Sequence, residues 1–289
     1  MGRHRKYTLN ETFFDDINTE EKAYFLGYLF ADGYNQKTKG TIRLILSTKD
    51  ENILNKLSKA TSSNNPIKKE NRIVNGNSYS TSGVYLHSIH MCKTLESHGM
   101  TQTKSLTVEF PKINIKYLNH FIRGYFDGDG CIKIDKYGQP KISICGSKMF
   151  LIELKKIFEC NLNLNSIKLY KSKNSKIHYL EYVGLINVEK IYKLLYSGSN
   201  IFLERKYIKL YRLYGDRNIS NILNKKGDKL RNKPSKTRTF TLEDVIKIRE
   251  LKKNNTIKDI AKLYNKTETS ISNVLYKKNI YVEVNHHMT

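Results

Sequence analysis

The 289-residue chain has no tryptophan, only four cysteines and a shortage of acids, with 27 Asp and Glu against 51 Lys and Arg. The cysteines, Cys92, Cys131, Cys145 and Cys160, form no CxxC pair, which argues against both a zinc site and a disulfide framework. No apolar run approaches the roughly 20 residues that a membrane-spanning helix needs. The opening MGRHRKYTL has no apolar h-region behind it, so a signal peptide is not expected. These absences predict a reduced, soluble, intracellular chain, in the cytoplasm of a bacterial or phage-infected host or in an organelle. The shortage of acid leaves a net charge of +24. Charge of this size, spread along the chain, points to a polyanionic partner, nucleic acid before an acidic membrane surface.

What the sequence does have is a doublet. YFLGYLFADG at 24–33 and FIRGYFDGDG at 121–130 are apolar runs that each end in a small residue, an aspartate and a glycine. Gly27 matches Gly124, Ala31 matches Gly128, and Asp32 matches Asp129, so a unit of about a hundred residues is repeated. Gly27 with Ala31, and Gly124 with Gly128, stand four apart and line one helical face each. Glycine inside a helix costs about 0.8–1.0 kcal/mol against alanine. Close approach of two helix backbones is a reason to bear that cost.

Helices packed in this way would bring Asp32 and Asp129 out side by side at their C-terminal ends. A helix C-terminus already carries partial negative charge, and a second carboxylate adds to it. A hard divalent cation, held by one or two carboxylates plus water and phosphate oxygens, resolves the conflict. Asp32 and Asp129, with Ala31 and Gly128 beside them, therefore read as a metal site shared across a pseudo-twofold axis. A calcium loop opening at Asp127 fails, because its twelfth position is Gly138 where a glutamate is needed. A single Asp-Gly after a helix is usually only a turn; its repetition is what points to a site.

The doublet resembles the LAGLIDADG homing endonucleases in their single-chain, two-motif form. The first copy departs at the earlier acid of the motif, where Phe30 stands; the second keeps both, at Asp127 and Asp129. The resemblance implies that the last acid of each copy, Asp32 and Asp129, holds Mg²⁺ (or Mn²⁺), and that each serves one DNA strand. It implies a double-strand break with short 3′ overhangs in a long double-stranded DNA site, made by a monomer with no membrane partner. It also implies a basic residue near each metal. Lys104 and Lys206 stand at matching places for that role, although Arg205 competes with Lys206 and an ordinary surface lysine reads the same way.

Taken in order, residues 1–17 read as a loosely held polar arm. A first unit (18–110) and a second (111–215) each read α-β-β-α-β-β-α, giving an α+β fold with two pseudo-symmetric, saddle-shaped antiparallel sheets. The first helix is expected to start after Asn18 or Thr19 and run to about Ala31. Strands are expected near 41–49, 67–74 and 79–88, then near 131–136, 140–146, 166–172 and 177–184. Helices are expected at 50–60, 90–98, 114–128, 148–159, 188–196 and 201–214. Arg43, Lys68, Arg72, Lys133, Lys141, Lys168, Lys171, Lys176 and His178 are candidates for a basic DNA-binding face on these strands. In the family the two sheets lie in the major groove, where such residues read base edges and neutralise phosphates; a merely solvated face has the same composition.

Residues 216–239 read as a basic linker that tracks the phosphate backbone. Residues 240–282 then read as a small all-α helix-turn-helix domain. Ile260, Ala261, Leu263, Ile271, Val274 and Leu275 have core spacing, and Asn265 suits the left-handed end of a helix. Thr269, Ser270, Ser272, Asn273 and Lys277 are its candidate DNA contacts. A three-helix protein-binding module would have the same pattern. Three functions stay open: a metal-dependent endonuclease, an RNA-binding maturase whose partner is intron RNA, and a non-catalytic DNA-binding regulator. Retention of both Asp32 and Asp129 favours the first.

Overall fold

In a computed structural model, residues 6–74, 77–102, 108–173, 175–215, 248, 251–252 and 254–275 are described. The chain divides into two compact units, Met1–Arg217 and Asn218–Thr289.

The larger unit holds two repeats. Helix α1 (Glu20–Asp32) starts at Thr19, whose side chain accepts the Lys22 N–H, with Glu20 and Glu21 in the positive first turn. Strands β1 (Gly33–Gln36) and β2 (Thr41–Ser47), helix α2 (Glu51–Ala60), strands β3 (Lys68–Val74) and β4 (Asn77–His87) and helix α3 (Ile89–Ser97) complete the first repeat. The second repeat runs α4 (Ile115–Asp129), β5 (Gly130–Ile134), β6 (Pro140–Gly146), α5 (Lys148–Leu162), β7 (Tyr170–Lys171), β8 (His178–Val183), α6 (Leu185–Tyr196) and α7 (Glu204–Tyr214). Both sheets are antiparallel and four-stranded, ordered β1-β2-β4-β3 and β5-β6-β8-β7. One face of each sheet is apolar: Ile42, Leu44 and Val84 in the first, Ile142, Ile144 and Leu180 in the second, all buried. Helices α2 and α3 pack on the first sheet, α5 and α6 on the second. The opposite face of each sheet is left uncovered by these helices.

The two motif helices pack backbone to backbone. A Cβ placed on Gly27 would lie 2.0 Å from the Phe121 carbonyl oxygen, and one on Gly124 would lie 1.9 Å from that of Tyr24. Tyr24 and Phe121 are themselves the matched residues of the two motifs, so the contact is reciprocal, as a twofold axis between the helices requires. The small residues thus have the packing role that their spacing predicts.

Several expectations are corrected. Residues 6–17 are not loose: the Thr8 N–H donates to Asn64 Oδ1 at 2.7 Å, the Asn10 N–H donates to the Thr61 carbonyl at 2.7 Å, and Phe13 and Phe14 are buried. Strand β1, which the sequence did not single out, follows Asp32 directly. The strand expected near 166–172 shrinks to Tyr170–Lys171, so Lys168 lies in the preceding connection. Helix α6 starts three residues earlier than expected, and α7 three residues later.

In the smaller unit, α8 (Ile257–Leu263) is capped by Thr256, whose side chain accepts the Asp259 N–H. Asn265 takes the left-handed conformation, at φ 49°, before α9 (Glu268–Leu275). Ile248, Ile260, Ala261, Ile271 and Val274 form its core, with Leu275 partly buried against them. Leu263, expected in that core, is 71% exposed, since the last turn of α8 carries it out to solvent. Thr269, Ser270 and Ser272 lie on α9, while Lys277, the side chain of Asn273 and the linker 216–239 fall outside the described residues.

Because the glycine contacts are with backbone, a neighbouring side chain cannot move to relieve them. Gly27→Ala and Gly124→Ala should each destabilise the larger unit by at least about 2 kcal/mol, despite alanine's better helix propensity. Urea denaturation of each variant against the unaltered chain measures this.

Candidate active site

Asp32 and Asp129 are the last residues of α1 and α4, and the chain passes from each straight into an extended glycine, Gly33 or Gly130, that opens a strand. The close helix pairing brings the two ends together. A Cβ on Gly128 would stand 2.3 Å from that of Ala31 and 3.2 Å from Asp32 Oδ2. The absence of a side chain at Gly128 is therefore what gives the Asp32 carboxylate its place against the other helix. Asp32 is exposed and Asp129 half-buried. The Cys145 thiol donates to the Asp129 backbone carbonyl at 3.3 Å and lies 3.5 Å from its Oδ1. Burial, with the Asp129 charge beside it, pushes that thiol up to about 12. Two buried tyrosines underlie the acids: burial raises both phenols, helped by the Asp32 charge at Tyr28 and by the Asp129 charge at Tyr125.

The earlier acid of the second motif serves a different purpose. Asp127 is fully buried and accepts hydrogen bonds from the Tyr24 hydroxyl at 2.9 Å, the Tyr196 hydroxyl at 2.7 Å and the Leu203 N–H at 2.7 Å. Burial raises its pKa while these donors oppose the rise. In the first repeat Phe30 is buried too, but it packs edge-on against Phe121 at 5.4 Å. Asp127 is thus a buried anchor under both motif helices, and the Phe30 departure exchanges one packing solution for another.

Lys206 lies immediately behind. Its ammonium donates to the carbonyls of Phe126 and Asp127 at 2.7 Å each and of Gly128 at 3.2 Å. Those three bonds use all three of its N–H donors, so it closes the negative end of α4. Arg205 points elsewhere and grips the buried Asp50 through both oxygens, at 2.8 and 2.9 Å. Lys104, the expected counterpart in the first repeat, is outside the described residues. Nothing in the sequence signalled the Asp50–Arg205 pair, nor the buried Arg123, which donates to Glu20 at 2.6 Å and to the carbonyls of Ile201 and Leu195. Both join segments more than a hundred residues apart, and no local pattern records such pairing.

The sheet registers sort the candidate DNA contacts. Arg43 stands opposite Tyr34, and its guanidinium sits 4.3 Å from that ring; Lys68 sits 4.9 Å from the Tyr85 ring. Both belong to the open face of the first sheet, as Lys133 and Lys141, directly opposite one another, do in the second. Lys141 is partly neutralised by Glu181 at 3.0 Å. Lys171 and His178 pair with each other on the Leu180 and Tyr182 side, so they do not join the open face as expected. Lys168 and Lys176 are exposed in connections rather than on strands, and the Arg72 side chain is outside the described residues.

The donor set suits a hard divalent ion. Among the described residues no group of three or more His, Cys, Asp or Glu is placed to hold a metal ion. One or two carboxylates, completed by water and phosphate oxygens, are the ligands that ions such as Mg²⁺ take.

Burial pushes Lys206 down from 10.5 to about 8. Between those values an unfolded chain holds a proton here that the folded chain has released, so this group's contribution to stability rises with pH across the window and is smallest below it. The stability advantage of the unaltered chain over Lys206→Met should therefore widen between about pH 8 and 10, by up to about 1.4 kcal/mol per unit, as read by urea denaturation at each pH.

A family model described as a LAGLIDADG-like domain matches residues 116–196, from the first turn of α4 to the last residue of α6. No curated protein matches the chain. Full-length DUF199/WhiA from Thermatoga maritima is 15% identical, over 93% of this chain and 94% of that one, with a TM-score of 0.45. The homing endonuclease I-WcaI bound to its DNA recognition sequence is 19% identical, over 68% and 90%, with a TM-score of 0.46. The I-LtrWI LAGLIDADG homing endonuclease bound to target DNA is 14% identical, over 67% and 89%, with a TM-score of 0.43. Residues 116–196 are thus similar to a LAGLIDADG-like domain, and the match opens in α4, one of the two helices that supply the aspartate doublet.

Proposed function

We propose that the protein is a site-specific, divalent-metal-dependent DNA endonuclease that makes a double-strand break as a single chain. One observation carries the reading: the reciprocal glycine contact sets the two helix ends together, with the Asp32 carboxylate against Gly128 of the helix that ends in Asp129. Two crowded acids at two helix C-termini have no structural use, whereas a phosphate-cleaving metal site needs them there.

Asp32 and Asp129, with the backbone at Ala31 and Gly128, would hold Mg²⁺ or Mn²⁺. When bound, the metal supplies Lewis-acid stabilisation of the phosphate and a water of lowered pKa. The chain's own residues do the rest. Cys145 orients Asp129, Gly128 leaves space for Asp32, and Lys206 offsets the negative end of α4 so that a carboxylate can stay ionised beside it. Lys206 has no free donor for a water, so its role is positioning rather than the direct polarisation that the resemblance implies. Arg43, Lys68, Lys133 and Lys141 on the open faces are suited to phosphates and guanine edges in the major groove. A helix-turn-helix at α8 and α9, with Thr269, Ser270 and Ser272 on its second helix, would extend the contacted DNA.

Cleavage of a randomised duplex library tests this. In Mg²⁺ the unaltered chain should cut one long site on both strands, and in Ca²⁺ none. Asp32→Asn and Asp129→Asn should each leave a nicked product, and the double variant should bind without cutting. Tight DNA binding with no cut in Mg²⁺ or Mn²⁺ would transfer the reading to a regulator; preference for structured intron RNA would transfer it to a maturase.

A further inference from the structure

A cleft of about 680 Å³ opens between the N-terminal segment and the far end of the first sheet. Lys6, Tyr7, Lys39, Tyr85, His87 and His90 line it, and so does Glu11. The N-terminal wall is fixed in place: besides the backbone bonds of Thr8 and Asn10, the Thr8 hydroxyl donates to the Ser62 carbonyl at 2.8 Å. Both acids nearby are hydrogen-bonded, and Glu11 keeps its charge. The Ser88 hydroxyl donates to Glu11, and Asp15 takes His90 Nε2 at 2.8 Å and the Thr94 hydroxyl at 2.9 Å. Lys6 and Lys39 have no ion pair among the described residues, and the Lys6 ammonium rests 5.2 Å from the Tyr7 ring centroid. The lining of the cleft therefore holds two lysines outside any ion pair, two tyrosines and one carboxylate, that of Glu11.

Its position relative to the doublet follows from the strand register. β1 and β2 begin at the pair Gly33–Leu44, next to Asp32, and end at Gln36–Thr41; Thr41 in turn faces His87. The cleft thus begins about 10 Å along the strands from the doublet, at 3.3 Å per residue. Tyr85, opposite Arg43, and His87 lie on the open face and also line the cleft.

We propose that this cleft anchors a backbone phosphate of duplex DNA beyond the sheet, with Lys6 and Lys39 as its two cationic arms. It rests on the DNA-binding reading above and adds a contact that neither the sheets nor the metal site supplies. A phosphodiester has one negative charge shared by two free oxygens, which suits two ammonium groups in one cleft. A free phosphate or pyrophosphate has the same chemistry, and the test separates the two sources.

Binding of the full-length protein to a random-sequence duplex, followed by fluorescence anisotropy across a salt series, provides the readout. The double variant Lys6→Ala, Lys39→Ala should reduce the slope of log K against log salt by about 1.8, the loss of two phosphate contacts. Lys6→Arg, Lys39→Arg should restore the slope. Lys155→Ala, Lys156→Ala, whose ammoniums are ion-paired on α5, should leave it unchanged. Urea denaturation confirms that each variant folds. An unchanged slope in the first double variant overturns the proposal. So does pyrophosphate binding that requires Lys6 and Lys39 yet fails to compete with duplex. If the unaltered chain shows no salt-dependent duplex binding, the DNA reading itself falls, and this anchor with it.

Discussion

Two helices touching through their backbones are the constraint on which the larger unit depends. At Gly27 and Gly124 each helix presents a bare α-carbon to a carbonyl of the other. Any side chain there would separate the axes, and the separation would carry through to the helix ends. The contact brings together two negative helix termini and two aspartates, an arrangement that electrostatics alone opposes. The surroundings answer part of that opposition. Lys206 places a buried ammonium on three carbonyls of α4, and Asp127 holds the same region from within through two tyrosine hydroxyls and a backbone N–H.

The two repeats share a backbone plan and differ in side chains. Phe30 and Asp127 occupy matched positions, as do Leu26 and Arg123. The polar members belong to the second repeat, where the last turn of α6 and the chain returning from it to α7 supply partners: Leu203 for Asp127, Leu195 and Ile201 for Arg123. Glu20 completes the link from the first repeat. Its burial is opposed by hydrogen bonds from Asn200 and by the Arg123 charge, which together hold its carboxyl below the ordinary value. A covalently joined pair of repeats permits such asymmetry, since each half always meets the same partner. The asymmetry continues at the acids, where Asp129 has the Cys145 thiol beside it and Asp32 is exposed.

The open faces follow from strand register rather than composition. Arg43 and Lys68 lie over tyrosine rings, which restrict their side chains. Lys171 and His178, equally basic in sequence, are on the other face because a strand reverses face with every residue.

The sequence by itself determined the duplication, the ends of the two motif helices to within a residue, the small-residue packing face, the nearly complete order of elements and the pair of acids. Each of these is written in local patterns: spacing by four, alternation by two, and capping residues such as Thr19, Ser88 and Ser147. Tertiary structure alone decided the roles of the charged residues. Glu20 reads locally as a first-turn acid and proves also to be the partner of Arg123, more than a hundred residues away. Lys206 reads as a residue near a metal and proves to be a helix cap, while Asp50 and Arg205 give no local sign of pairing. The physical reason is range. Backbone periodicity and capping are settled within a few residues, whereas a buried charge finds its partner only where the folded chain returns.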